Sequence, residues 1–220
     1  MVRGVVVGFL VAVLVVATAQ ARPVVAPLTQ ELESVAPLAN PQVLGLAARA
    51  VACVRKSMPV RTLSVIDYSL PSTQPRLWVF DLEQHRLLFH EWVAHGRNSG
   101  ENLATHFSNE PGSLMSSLGT FVTDGTYIGH NGYSLRLKGI DGRFNDLAES
   151  RAVVIHGASY VDPAFARKQG RLGRSFGCPA VRKDIAHKLI DAIRERSVVF
   201  AYYPDAHWLQ DSRVLDGCNT

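Results

Sequence analysis

The sequence predicts a mainly β domain, a β-sandwich or partly open barrel, with one helix ahead of it and one helix late in the chain. Three features predict it. Short runs rich in branched and aromatic residues recur at 62–68, 76–82, 87–95, 120–127, 133–137 and 152–156, with Gly, Pro, Asn and Ser between them. Helical periodicity does not alternate with these runs, which argues against β-α units and for antiparallel pairing. A chain of 220 residues with 47% hydrophobic and 19% charged positions has globular composition and length enough for a full core.

The elements follow in order. Residues 22–40 carry Pro23, Pro27 and Pro37 among small residues and read as an exposed leader or a short, poorly fixed helix. Asn40-Pro41 then supplies an N-cap and a proline at the first helical position. Val43, Ala47, Ala50, Val51 and Val54 repeat at helical spacing behind it. After the six strand runs, Ile185, Leu189 and Ile193 stripe a helix over 183–196, and 198–203 closes the sheet. The tail beyond Pro204, with Trp208 and Cys218, shows no regular pattern.

The N-terminus speaks to compartment. Arg3 precedes an apolar run over 4–17, and Thr18-Ala19-Gln20-Ala21 places small residues where a signal peptidase reads. Residues 1–21 are therefore expected to be a cleavable signal peptide that leaves no stable membrane span. The alternative is an uncleaved anchor helix. Either way the body is exported to an oxidising compartment. The expected organisation is signal peptide 1–21, leader and N-terminal helix 22–60, main domain 61–205 and C-terminal tail 206–220. A net charge of +4 is too modest to motivate nucleic-acid binding. No close Cys/His cluster suggests a metal, and His90 to His95 is one residue too long for a zincin motif, so no metal and no cofactor are expected.

The chemistry concentrates after the sixth strand. Ala152-Val153-Val154-Ile155 delivers His156-Gly157 to the sheet edge, and a loop leads to Ser175-Phe176-Gly177-Cys178-Pro179 ahead of a helix. A cysteine on a glycine turn at a helix N-terminus would have a lowered pKa and backbone N–H groups facing an oxyanion. Arg167, Lys168, Arg171, Arg174, Arg182 and Lys183 surround it without an acid and would favour the thiolate further. A strand-end histidine supplies a base. On spacing alone, a structural thiol and a hydrogen-bonded histidine explain the same residues equally well.

His156-Gly157 followed by Ser175-Phe176-Gly177-Cys178 resembles the signature of the murein L,D-transpeptidase catalytic-domain family, also called YkuD-like. The stretches around Val65-Ile66-Asp67-Tyr68, Leu77-Trp78-Val79-Phe80, Ala94-His95-Gly96-Arg97, Tyr133-Ser134-Leu135-Arg136 and Gly170-Arg171-Leu172-Gly173 resemble a proteobacterial branch of it. The resemblance implies that fold for 61–205, a periplasmic or cell-envelope location, and peptidoglycan peptide stems as partners. It makes Cys178 the nucleophile that forms a thioester and His156 the base, its ring oriented by the Gly157 carbonyl. Gly177 and Cys178 N–H groups would form the oxyanion hole. Tyr133, Arg136, Arg171, Arg174 and Ser175 are candidates to meet the stem. His95 is the competing base. Many members carry histidine and arginine where this chain has Phe176 and Ala180, which bears on substrate choice more than on the thiol chemistry. Transfer to an amine, hydrolysis by a carboxypeptidase or amidase on the same thioester route, and wall binding without catalysis are the readings in play. Oligomeric state is not legible. With Cys178 kept free for catalysis, Cys53 and Cys218 are left to pair with each other; the alternative is a buried helix thiol and a free tail thiol.

Overall fold

The computed structural model describes residues 1–2 and 27–218; the expected signal peptide and the start of the leader lie outside the described residues apart from the first two. The described remainder of the leader takes the second of its two expected forms, a short helix. Leu28–Val35 forms helix α1, which buries Leu32 against the body, the i, i+4, i+7 spacing of Leu28, Leu32 and Val35 giving it an apolar side. Helix α2, Pro41–Val54, starts as its sequence dictates: the Asn40 side chain accepts from the Gln42 N–H at 2.9 Å, and proline occupies the first turn where no donor is needed.

The strands are β1 Thr62–Asp67, β2 Leu77–Asp81, β3 Arg86–Glu91, β4 Val93–Ala94, β5 Gly119–Gly129, β6 Gly132–Gly139, β7 Val154–Ala158, β8 Ala180–Arg182 and β9 Ser197–Tyr202. They form one sheet in the order β3-β2-β1-β9-β5-β6-β7-β8-β4. Most pairs are antiparallel, but β1–β9 and β7–β8 are parallel. The run expected as one strand over 87–95 is two: β3 pairs with β2, and past Trp92 β4 pairs with β8. One continuous stretch thus borders both ends of the sheet and nearly closes it into a barrel. At this seam Arg182 on β8 grips Glu91 on β3 with two hydrogen bonds, 2.9 and 2.8 Å, beside buried backbone. β3 and β4 remain the two edge strands, each with one ladder partner, and the seam between them is bridged by side chains.

Three further α-helices follow. Pro163–Gln169 is α3, capped by the Asp162 side chain and ended by Gly170 in the left-handed region, φ 74°. Helix α4, Ala186–Ile193, lays Ala186, Leu189, Ile190 and Ile193 on the sheet. Cys178 does not sit at its N-terminus, as expected from sequence, because β8 intervenes. The tail is not featureless either. Asp205 caps α5, Ala206–Asp211, and Trp208 is fully buried with its indole N–H donating to Asp141 at 2.9 Å. Cys53 and Cys218 are disulfide-bonded, Cα atoms 5.4 Å apart, which fastens the tail to α2.

Candidate active site

The parallel pairing of β7 with β8 builds the site. His156 lies opposite Ala180, so the register carried two residues back sets Cys178 beside Val154. The Val154 N–H points at the sulfur, 3.4 Å away, and the thiol faces the Ala152 carbonyl at 3.6 Å. Residues two apart on a strand share a face, so His156 and Cys178 stand on one side of the sheet. Ser134 and Arg136, their cross-strand neighbours on β6, join them. The other side is taken by α4: a Cβ on Gly157 would meet that of Ala186 at 2.7 Å, so only glycine lets the helix pack there.

His156 is buried and its Nδ1–H donates to the Gly157 carbonyl at 3.1 Å. A carbonyl can only accept, so Nε2 is left unprotonated as the basic nitrogen. Burial lowers the imidazole pKa, with the Gly157 contact opposing it. The competing base, His95, is a structural residue. Arg76, fully buried, donates to its Nδ1 at 2.7 Å, and its Nε2–H faces the Gly100 carbonyl at 3.3 Å. Both ring nitrogens are occupied, and burial with the Arg76 charge pushes its pKa down to about 4.

The nucleophile turn is stapled from within. The Ser175 hydroxyl donates to the Cys178 carbonyl at 2.6 Å and accepts from the Gly177 N–H at 3.1 Å. Ser175, expected to touch the stem, is committed to the turn instead. So is the Gly177 amide, which removes it from the expected oxyanion hole; the Cys178 N–H donates to no group among the described residues. Gly177 itself needs its freedom, at φ 124° with Met115 O only 2.8 Å from where a Cβ would stand, and its carbonyl accepts from Ser116 Oγ at 3.2 Å.

The basic residues are the largest departure from expectation. Arg171 and Arg174 both pair with Glu101, at 2.7 and 2.8 Å, and Arg174 also donates to the Arg97 and Gly100 carbonyls. Arg182 holds Glu91 and Asp184. These charges are paired with acids, of which Glu101 and Glu91 are distant in sequence, while Asp184 lies close to Arg182 along the chain. The Cys178 thiol is accordingly pushed up, not down: burial raises its pKa, opposed by the Val154 N–H and by Arg151, which sequence reading missed. Tyr133 is also misplaced by expectation. It stacks on His187, ring centroids 4.6 Å apart, and donates to Asp191 at 2.8 Å, on the α4 side of the sheet. Arg136 does stand on the cysteine side, its guanidinium 4.2 Å from the Tyr127 ring. Arg97 is a second such group, 5.9 Å from the ring of Phe176, itself 70% exposed. No acid pairs with either arginine among the described residues. Tyr68 and Tyr160 complete the surroundings, both phenols pushed up to about 12, chiefly by burial.

The His95 site predicts a pH dependence of stability. Its folded pKa, about 4, lies below the ordinary 6.5, so as pH falls through 6.5 the unfolded chain binds a proton that the native state refuses. The native state therefore loses stability between pH 6.5 and about 4, by about 3 kcal/mol. Burial raises Asp67 and Asp141, which act in the opposite sense. The His95 contribution is thus the difference between wild type and His95→Gln in urea unfolding at pH 7 and pH 4. Equal losses in both proteins would overturn it.

A family model described as the L,D-transpeptidase catalytic domain matches residues 36–202. None of the curated proteins matches the chain. Among solved structures, an L,D-transpeptidase from Mycobacterium smegmatis aligns at 12% identity over 65% of this chain and 59% of that one, with a TM-score of 0.42. L,D-transpeptidase 1 from Mycobacterium tuberculosis aligns at 13% identity over 65% and 62%, TM-score 0.37. An L,D-transpeptidase from Stackebrandtia nassauensis aligns at 12% identity over 81% and 77%, TM-score 0.38. The chain spans less than two thirds of the length of the first two of these.

Proposed function

The chain belongs to the L,D-transpeptidase catalytic-domain family, and on that premise we propose that it is an exported, cysteine-dependent acyltransferase acting on peptidoglycan peptide stems in the cell envelope. The observation that carries the reading is the pairing of β7 with β8, which sets a free thiol, Cys178, and a histidine with an available Nε2 on one face of the sheet.

In this mechanism both groups start neutral, because burial raises the thiol and lowers the imidazole. The sulfur attacks the carbonyl carbon of the stem's L-centre while His156 Nε2 takes the thiol proton. The tetrahedral oxyanion accepts from the Cys178 N–H, a donor of a kind worth about 3 kcal/mol in other enzymes. Collapse breaks the peptide C–N bond, the imidazolium returns its proton to the departing D-residue amine, and a thioester remains. An amine, deprotonated by His156, then takes the acyl group and frees the thiol. Arg97 on Phe176 and Arg136 on Tyr127 are the guanidinium groups available for stem carboxylates.

The test is incubation of the protein with tetrapeptide-stem muropeptides and resolution of the products by mass. Cross-linked dimer is the expected product. Tripeptide alone assigns the carboxypeptidase reaction on the same thioester route, and unchanged substrate assigns wall binding without catalysis.

A further inference from the structure

Burial raises the Cys178 thiol, and Arg171 and Arg174, which precede it in sequence, are paired with Glu101. One guanidinium remains close. We propose that Arg151 is the positioning residue of this site, supplying the countercharge for the Cys178 thiolate and holding the 108–117 loop against the nucleophile turn with the same side chain.

The backbone brings it there. Arg151 directly precedes Ala152, whose carbonyl faces the thiol, and Val154, whose N–H faces the sulfur. Between them Ala152 adopts φ 54°, a left-handed conformation that costs a residue with a side chain about 1 kcal/mol. The turn is held by Arg151 N–H to Leu147 O at 2.9 Å and Val153 N–H to Ala148 O at 2.9 Å. The side chain is then fixed by four hydrogen bonds. Nη1 donates to Ser108 O at 2.8 Å and to Ser117 Oγ; Nη2 donates to Met115 O at 2.8 Å and Ser113 Oγ at 3.2 Å. A Cβ on Gly177 would lie 3.4 Å from Nη2, so the guanidinium abuts the turn itself. All four partners are neutral, and the acid acting on Arg151 through space, Glu110, is exposed. Its charge is therefore fixed in place without being cancelled.

The other groups around the sulfur carry no full charge in the working range. His156 is held neutral by burial, and the Tyr68 and Tyr160 phenols titrate near 12. Arg76, the fully buried guanidinium of this region, is turned to the Val93 and Leu70 carbonyls and to His95. Arg151 and Cys178 act on each other in both directions, the thiolate raising the arginine and the arginine lowering the thiol.

The role rests on Cys178 being the nucleophile, but its test needs no peptide. Alkylation of Cys178 by iodoacetamide is followed against pH in the disulfide-intact protein, with thermal unfolding as the fold control. In Arg151→Met the inflection should rise by about one pH unit, a tenfold loss of thiolate at neutral pH. Arg151→Lys, which keeps the charge and loses the fork, should stay within half that shift. The exposed change Glu110→Gln should move the inflection slightly the other way. If Arg151→Met fails to fold, the Glu110 variant decides. Inflections unchanged from wild type in every folded variant other than Arg151→Lys would reduce Arg151 to a loop strut and overturn the proposal, while leaving the stem-peptide assay to judge the function separately.

Discussion

Replacing Cys178 by alanine is expected to abolish stem-peptide turnover, a loss of more than about 10⁴-fold, while shifting the melting temperature by no more than a few degrees. The two effects separate because the half-buried sulfur makes only long contacts, 3.4 and 3.6 Å, and anchors no side-chain network. The turn around it is held by Ser175, which the change leaves in place. His156→Ala should lose nearly as much rate, since nucleophile and base act as a unit. In wild type, the base must be neutral to accept the thiol proton, and burial keeps it neutral to lower pH than usual. The acid limb of kcat/KM is therefore expected below pH 6.5, the ordinary imidazole value. Turnover retained in Cys178→Ala would remove the thiol from the mechanism; an acid limb above 7 would remove His156 as the neutral base.

Loss of the Cys53–Cys218 disulfide carries the largest expected effect on stability. It spans 165 residues, for which the chain-entropy relation gives a ceiling of about 5 kcal/mol; native bridges of small secreted domains return about 2–5 kcal/mol. The tail is also held by Arg49 donating to the Leu215 carbonyl and by Lys56 to that of Gly217 at 2.6 Å. Those contacts survive only while the tail is docked, so they fade together with the bridge. Urea unfolding of a Cys53→Ala/Cys218→Ala protein against wild type reads the difference. A loss under about 1 kcal/mol would mean that burial of Trp208, Val214 and Leu215 holds the tail unaided. Thiol counting on the unfolded, unreduced protein should find Cys178 alone reactive.

Much of this was legible in the residues. Asn40-Pro41 announced a helix start, the branched runs announced strands, and the spacing of Leu189 and Ile193 announced α4. The turn carrying Cys178 was found because its glycine and serine are local requirements, written next to the residue they serve. Electrostatics was misread for the opposite reason. A run of basic residues looks unpaired in sequence when its acids, Glu91 and Glu101, arrive from strands and loops some 70 to 90 residues earlier. Arg151 was invisible because nothing in its neighbourhood marks it; only the fold brings its guanidinium against Gly177 in the nucleophile turn. Strand β8 hid behind Pro179 and its three-residue length, and α5 behind the absence of a long apolar stripe in the tail.

The parallel pairing of β1 with β9 has a consequence for how the molecule is assembled in time. β9 lies in the middle of the sheet, between β1 and β5, yet it is the last of the nine strands to be made. Until residue 197 is available, β1 and β5 each expose an open ladder, and the sheet is split down its centre. Contacts joining 62–67 to 197–202 give the chain a high contact order, which slows folding because loop closure must precede its reward. A nascent chain stalled before β9 would therefore be a substrate for holdase chaperones and prone to edge-to-edge aggregation. A circular permutant that places β9 directly ahead of β1 would shorten that search and should refold faster than the natural order, with the Cys178 turn unchanged.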